Sequence, residues 1–104
     1  MNMLAVLLAL LAGTDQSAAL QAQFDYAAKC RVHTQMMPAI AKDVSGRQTG
    51  EAVYAYWIKE SDRLGKKLGR TKEQLELDYL LIEIKADMDL LMDCAKKTKG
   101  VFKD

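Results

Sequence analysis

Two cysteines, one histidine and a nearby methionine are the residues of this chain with the clearest capacity for chemistry. His33 follows Cys30 by three residues and Met37 follows His33 by four, so the three side chains can share one helical face. Thiolate, imidazole and thioether groups are ligands that soft metal ions such as copper(I) prefer. With Cys94 alongside, the sequence allows a copper or zinc site, although no CxxC or HExxH spacing supports one.

The same two cysteines predict a disulfide bond if the chain is exported, because a cysteine pair in an oxidising compartment is most simply bridged. A bond from Cys30 to Cys94 would close a loop of about 65 residues and stabilise the fold by about 4 kcal/mol. Bridged sulfurs cannot serve as thiolate ligands. The disulfide and the metal site are therefore alternatives.

The N-terminal segment has the layout of a secretory signal peptide. Residues 3–12 are an apolar run too short to span a bilayer, and small residues follow at 17–19. We expect cleavage after Ala19, with a second candidate site after Ala22. Cleavage after Ala19 leaves a single domain of residues 20–104, in the periplasm or secreted. No Lys or Arg precedes the apolar run, so an uncleaved membrane anchor is the alternative.

Composition favours one small all-α domain. The chain has 104 residues, half of them hydrophobic, with a single proline. Fifteen basic and fourteen acidic residues leave a net charge of +1, which gives no reason to expect a nucleic-acid partner.

Capping and breaking residues divide this domain into helices. Pro38 predicts a break after the first helix, and Thr49 predicts the start of the middle helix, which Gly69 ends. Thr71 and Gln74 have the capping-box form that opens a last, long helix. The predicted helices cover residues 20–34, 39–43, 50–68 and 71–100. Short connections predict an up-down-up bundle of three main helices plus a short one after Pro38, with the first and last helices parallel.

The last helix carries apolar side chains on two sides. The main stripe, predicted to face the core, consists of Leu77, Leu80, Leu81, Ile84, Met88, Leu91 and Ala95. A second, shorter stripe consists of Leu75, Tyr79, Ile82 and Ala86. We interpret the first half of this helix as central in the bundle.

A candidate protein-contact patch lies in the middle helix. Tyr54, Tyr56 and Trp57 are too close together for one face to bury them all, and exposed aromatic side chains are enriched at interfaces. Trp57 is expected in the core, which leaves a tyrosine near the surface. A basic cluster follows, which an anionic lipid or an acidic protein surface could contact: Arg63, Lys66, Lys67, Arg70 and Lys72.

The sequence predicts no enzymatic activity and no cofactor. Ser45 and Ser61 are the serines of the predicted domain, and neither lies in a G-x-S-x-G context. Acidic pairs at helical spacing, such as Asp89 with Asp93, are interpreted as the solvated side of the long helix.

An apolar leader, a cysteine in the first mature helix, an aromatic-rich middle helix and a leucine-rich last helix near Asp93-Cys94-Ala95 occur together here. In this layout the chain resembles small uncharacterised periplasmic all-α cysteine-pair proteins of Gram-negative bacteria. Proteins of this build include type VI secretion immunity proteins and periplasmic acid-stress chaperones, which bind other proteins. We therefore expect an exported, non-enzymatic interaction module: an inhibitor, an immunity factor or a chaperone-like binder. The alternative functions are a periplasmic copper- or zinc-binding protein and an uncleaved, membrane-anchored structural protein. The sequence also allows a homodimer.

Overall fold

A computed structural model describes the backbone of residues 3–84 and 87–98 and the side chains of residues 16–84 and 87–98. These residues form five helices and no strand, which confirms the predicted all-α class. The helices are α1 (Met3–Thr34), α2 (Met37–Ile40), α3 (Val44–Lys67), α4 (Lys72–Leu80) and α5 (Met88–Lys96).

Helix α1 continues through the predicted cleavage site. Among the side chains that the structure describes, residues 16–19 are exposed, Leu20 is the first that packs against the core, and Phe24 is the first that is fully buried. Cleavage after Ala19 stays a prediction. In the part of the chain that the structure describes, no helix is long and apolar enough to cross a membrane.

The break before Pro38 is confirmed, but the short helix begins two residues earlier and ends three residues earlier than predicted. Helix α2 contains Pro38 in its first turn, where a missing amide hydrogen removes no helical hydrogen bond. It packs against α3 at Gly50, where an added Cβ would come within 3.0 Å of the Pro38 nitrogen.

The prediction that Thr49 starts the middle helix was wrong. Helix α3 begins at Val44 because Asp43 serves as its N-cap, with the carboxylate accepting from the Gly46 amide at 2.7 Å. The Thr49 hydroxyl instead donates to the Ser45 carbonyl within the helix, at 3.0 Å. Asp43 and Thr49 can both serve as N-caps, and α3 starts after Asp43, which comes earlier in the chain.

The turn between α3 and α4 follows the sequence prediction. Gly69 has a φ of +78°, and the Arg70 amide donates to the Gly65 carbonyl at 3.0 Å, which ends α3. The capping box then opens α4: Thr71 Oγ1 accepts from the Gln74 amide at 3.2 Å, and Gln74 Oε1 accepts from the Thr71 amide at 2.9 Å.

The prediction of one helix over residues 71–100 was wrong. Helix α4 ends at Leu80, and α5 begins at Met88 with Asp87 as N-cap, whose carboxylate accepts from the Leu90 amide at 3.0 Å. β-Branched Ile82 and Ile84 between the two helices have modest helix propensity, and Asp is among the best residues to start a new helix. Four positions of the predicted helix, 85–86 and 99–100, lie outside the described residues.

Helix α5 runs antiparallel to α1, not parallel as predicted. Asp93, near the end of α5, contacts Tyr26 in α1. Leu90, near the start of α5, lines a cavity with His33, which comes after Tyr26 in α1. The direction differs because the chain reverses once more between α4 and α5. Helix α4 itself is parallel to α1, since Arg70 lies over Phe24 and Tyr79 lies under Arg31.

The core forms where α1, α3, α4 and α5 meet. Its buried members are Phe24, Ala27, Ala28, Cys30, Val53, Trp57, Leu64, Leu75 and Cys94. A Cβ at Gly65 would lie only 2.3 Å from Leu75 Cδ2, so a glycine is needed for α3 and α4 to approach this closely.

Candidate interaction surfaces

The cysteines form the predicted disulfide. Cys30 and Cys94 are bonded, their Cα atoms lie 5.5 Å apart, and neither side chain is exposed. His33, three residues after Cys30, is also buried, and its Nδ1 lies 2.8 Å from the Lys29 carbonyl oxygen. Met37 packs against the core cluster. Because both sulfurs are bonded to each other, a thiolate metal site from these residues is confined to reduced protein. Among the side chains of residues 16–84 and 87–98, no three from His, Cys, Asp or Glu are grouped to hold a metal.

The predicted basic cluster is divided between ion pairs and solvent. Arg63 Nε donates to Glu60 at 3.1 Å, and this hydrogen bond is the main reason that the pKa of Glu60 is lowered. Arg70 forms an ion pair with Asp78 at 3.3 Å. The three lysines of the cluster are exposed: Lys66, Lys67 and Lys72. Two of the five cations are thus already matched by carboxylates within the chain.

The aromatic side chains of α3 face two different surfaces. Trp57 is 4 % exposed and belongs to the core, while Tyr54 and Tyr56 are half-buried. Tyr56 lies with Trp57 on the side of α5, and Tyr54 lies on the side of α4. The structure therefore divides the single predicted aromatic patch into two.

The first surface is a groove, which we call the aromatic groove. It has a volume of about 550 Å³, and its lining includes Tyr26, Tyr56, Trp57, Glu60 and Lys97. The Trp57 ring meets Tyr26 and Tyr56 edge-on, at centroid distances of 5.7 and 4.9 Å. Edge-to-face contacts of this kind favour rigid packing of the three rings.

Hydrogen bonds tie the groove to the disulfide. The Trp57 indole N–H donates to the Cys94 carbonyl at 3.1 Å, and the Tyr26 hydroxyl donates to the Asp93 carboxylate. The ammonium of Lys97 lies 3.9 Å from the centre of the Tyr26 ring and 3.7 Å from Asp93. Burial, and then the bond to Asp93, raise the pKa of the Tyr26 hydroxyl.

The second surface is apolar, and we call it the α4 apolar face. Its members are exposed as follows: Leu77 56 %, Leu80 81 %, Leu81 74 % and Ile84 54 %. They belong to the stripe that was predicted to face the core, so that prediction was wrong for the first half of the stripe. Met88, in the same stripe, is also exposed, while Leu91 is buried in α5.

Leu75, Tyr79 and Ile82 of the second stripe pack inward instead, because a polar network fixes the rotation of α4. Ala86, the last member of that stripe, lies outside the described residues. The Tyr79 hydroxyl donates to Asp62 at 2.9 Å, Arg31 donates to the same carboxylate oxygen at 2.9 Å, and the Arg31 guanidinium lies 3.9 Å from the Tyr79 ring centre. Arg31 also donates to the buried Ser61 hydroxyl at 3.2 Å. With Leu75 and Tyr79 inward, the leucines on the opposite side of α4 face solvent.

Sequence reasoning missed Tyr26 and Lys97 as parts of the aromatic groove. The signal that could have found them is the disulfide, since Tyr26 precedes Cys30 by four residues and Lys97 follows Cys94 by three. In antiparallel helices joined at the cysteines, these offsets place the two side chains together. The prediction that the first and last helices are parallel did not place Tyr26 and Lys97 together.

Comparison with known proteins finds no matching family model, no matching curated protein and no matching solved structure.

Proposed function

We propose that this chain is an exported, non-enzymatic module that binds another protein through the α4 apolar face. The observation that carries the proposal is the exposure of four neighbouring aliphatic side chains, half to four-fifths accessible, on a domain closed by a buried disulfide. Contiguous apolar surface of this kind on a folded domain marks an interaction site.

The energetics favour a partner that covers this face. Fully burying a Leu or Ile side chain stabilises a complex by roughly 1.5–3 kcal/mol. The face therefore offers several kcal/mol to a partner with a complementary apolar surface, against the entropy lost on association.

The surroundings of the face have the composition of an interface rim. Leu80 and Ile84 line a cavity of about 490 Å³ together with Tyr54 and Arg31. Tyrosine and arginine are enriched at interfaces, where they combine apolar contact with hydrogen bonding. Tyr54 is therefore part of the proposed contact surface, whereas Tyr56 and Trp57 line the aromatic groove.

The predicted signal segment and the disulfide support an exported location, in the periplasm or outside the cell. A stapled helical domain with an exposed aliphatic face suits an inhibitor, an immunity factor or a chaperone-like binder. Each of these acts by covering a surface of another protein.

Photo-crosslinking from single positions tests the proposal. A benzophenone amino acid replaces Leu80 in the full-length chain, produced in its native host, and adducts are identified by mass spectrometry. The matched control carries the same group at Lys59, an exposed position of α3. We expect a discrete protein adduct from position 80 and none from position 59.

Two further measurements make the result decisive. The double substitution Leu77→Ser and Leu81→Ser should abolish the adduct while the far-ultraviolet circular dichroism stays unchanged, since both side chains face solvent. Adducts with lipid alone, or no adduct from a folded and exported chain, would contradict a protein-binding role.

A further inference from the structure

The aromatic groove already holds a cation. The Lys97 ammonium lies 3.9 Å from the centre of the Tyr26 ring, at the distance of a cation–π contact. Tyr56 and Trp57 form the adjoining wall of the groove. Lys97 is itself exposed and comes directly after the last residue of α5, so a small rearrangement of its side chain would vacate the ring.

The charges around the groove favour a cation at this position. Asp93 lies 3.7 Å from the Lys97 ammonium, and Glu60 lines the groove, with its carboxylate shared with Arg63. Without the Lys97 ammonium, the Asp93 carboxylate beside Tyr26 would lose this ion-pair partner. Glu60 would stay bonded to Arg63 and near Lys67. The tyrosine ring and the Asp93 carboxylate would then attract another cation.

We propose that the aromatic groove is a binding site for a lysine or arginine side chain of a partner polypeptide, and that Lys97 occupies it in the free protein. The occupant is a side chain of a polypeptide because the groove already accepts a lysine side chain, that of Lys97, in the structure. This site shares no lining residue with the α4 apolar face. Its test does not depend on the partner of that face.

Fluorescence of Trp57, the sole tryptophan of the chain, reports directly on the groove. The oxidised full-length protein is titrated with a glycine-spaced peptide of three lysines, and with a matched peptide in which glutamine replaces each lysine. We expect a saturable change in Trp57 emission with the lysine peptide only. Equal responses to the two peptides would overturn the proposal.

Substitution of Lys97 gives the sharpest test, because the proposal predicts that the variant binds the lysine peptide more tightly. Lys97→Gln removes the resident ammonium and should tighten binding of the lysine peptide by about two- to fivefold, the range of an exposed cation–π contact. Lys97→Arg keeps a resident cation and should leave the affinity as in the wild type. Weaker or unchanged binding by Lys97→Gln would refute the role assigned to Lys97.

Two controls separate the aromatic contact from folding and from small cations. Tyr26→Phe keeps the ring and should retain binding, whereas Tyr26→Leu should lose it; urea unfolding establishes that each variant is folded. Tetramethylammonium chloride should compete only at far higher concentration than the peptide. Equal potency of the two would overturn a polypeptide as the occupant.

Discussion

The disulfide should hold α5 on the rest of the domain, and its removal tests how the fold is assembled. Helix α5 has nine residues, too few to be stable alone in water. Besides the bridge, the Trp57 bond to the Cys94 carbonyl and the Tyr26 bond to Asp93 hold it in place. Without the bridge, we expect α5 to undock and unfold before the other helices.

The size of the effect follows from the loop that the bond closes. Cys30 and Cys94 are 64 positions apart in sequence. The chain-entropy model gives about 4 kcal/mol for a loop of this length. Since small domains have a free energy of unfolding of about 5–15 kcal/mol, the double substitution Cys30→Ala and Cys94→Ala should remove a large share of it.

Urea unfolding measures this loss, with Trp57 fluorescence reporting on the α5 contact and circular dichroism on total helix. In the variant, the fluorescence transition should precede the helical one, and hydrogen exchange should be faster in α5 than in α1. A loss below about 1 kcal/mol, with α5 amides protected as well as those of α1, would refute the reasoning.

Three further outcomes follow from particular contacts. Gly65→Ala should lower the free energy of unfolding by about 1–3 kcal/mol in urea titrations, because its Cβ would overlap Leu75. Tyr79→Phe should lower it by about 0.5–1.5 kcal/mol, because the substitution removes the hydrogen bond to Asp62 and keeps the ring. Stability should also fall as the pH rises above about 10, because the folded state, in which the pKa of Tyr26 is raised, keeps a proton that the unfolded state releases. Tyr26→Phe should reduce this alkaline loss in a series of urea titrations at different pH; an unchanged slope would contradict the assignment.

Some local signals in the sequence predicted the local structure correctly, although the predicted cap at Thr49 did not. The Thr71 capping box, the glycine turn at Gly69, the break before Pro38 and the disulfide depend on a few neighbouring groups or on the only available partner. Their physical causes can be read without knowing the rest of the fold.

The rotation of α4 and the direction of α5 could not be predicted in the same way. Both stripes of the predicted long helix are apolar, so periodicity alone could not decide which faces the core. The decision comes from Tyr79 meeting Asp62, a contact between helices that the sequence does not show. Because α4 ends at Leu80, the direction of α5 depends on a reversal of the chain between the two helices. The apolar pattern of the sequence does not predict that reversal.

For the candidate surfaces too, the sequence identified residues, but tertiary packing decided where they lie. Composition identified Tyr54, Tyr56 and Trp57, but packing assigned them to two different surfaces. The apolar pattern of the sequence did not predict the α4 apolar face, because a stripe of leucines along a helix ordinarily faces the hydrophobic core. Its exposure is a property of the tertiary structure.

Hydroxyl-radical footprinting of the oxidised full-length protein tests the central claim most directly. Leu80 and Leu75 have the same side chain on opposite sides of α4, and they are 81 % and 6 % exposed. The structure predicts rapid oxidation of Leu80 and protection of Leu75 in the isolated chain. The proposed function adds that Leu80 becomes protected when a partner protein is bound. Protection of Leu80 and oxidation of Leu75 in the isolated chain would place the leucine stripe in the core and contradict a binding face on α4.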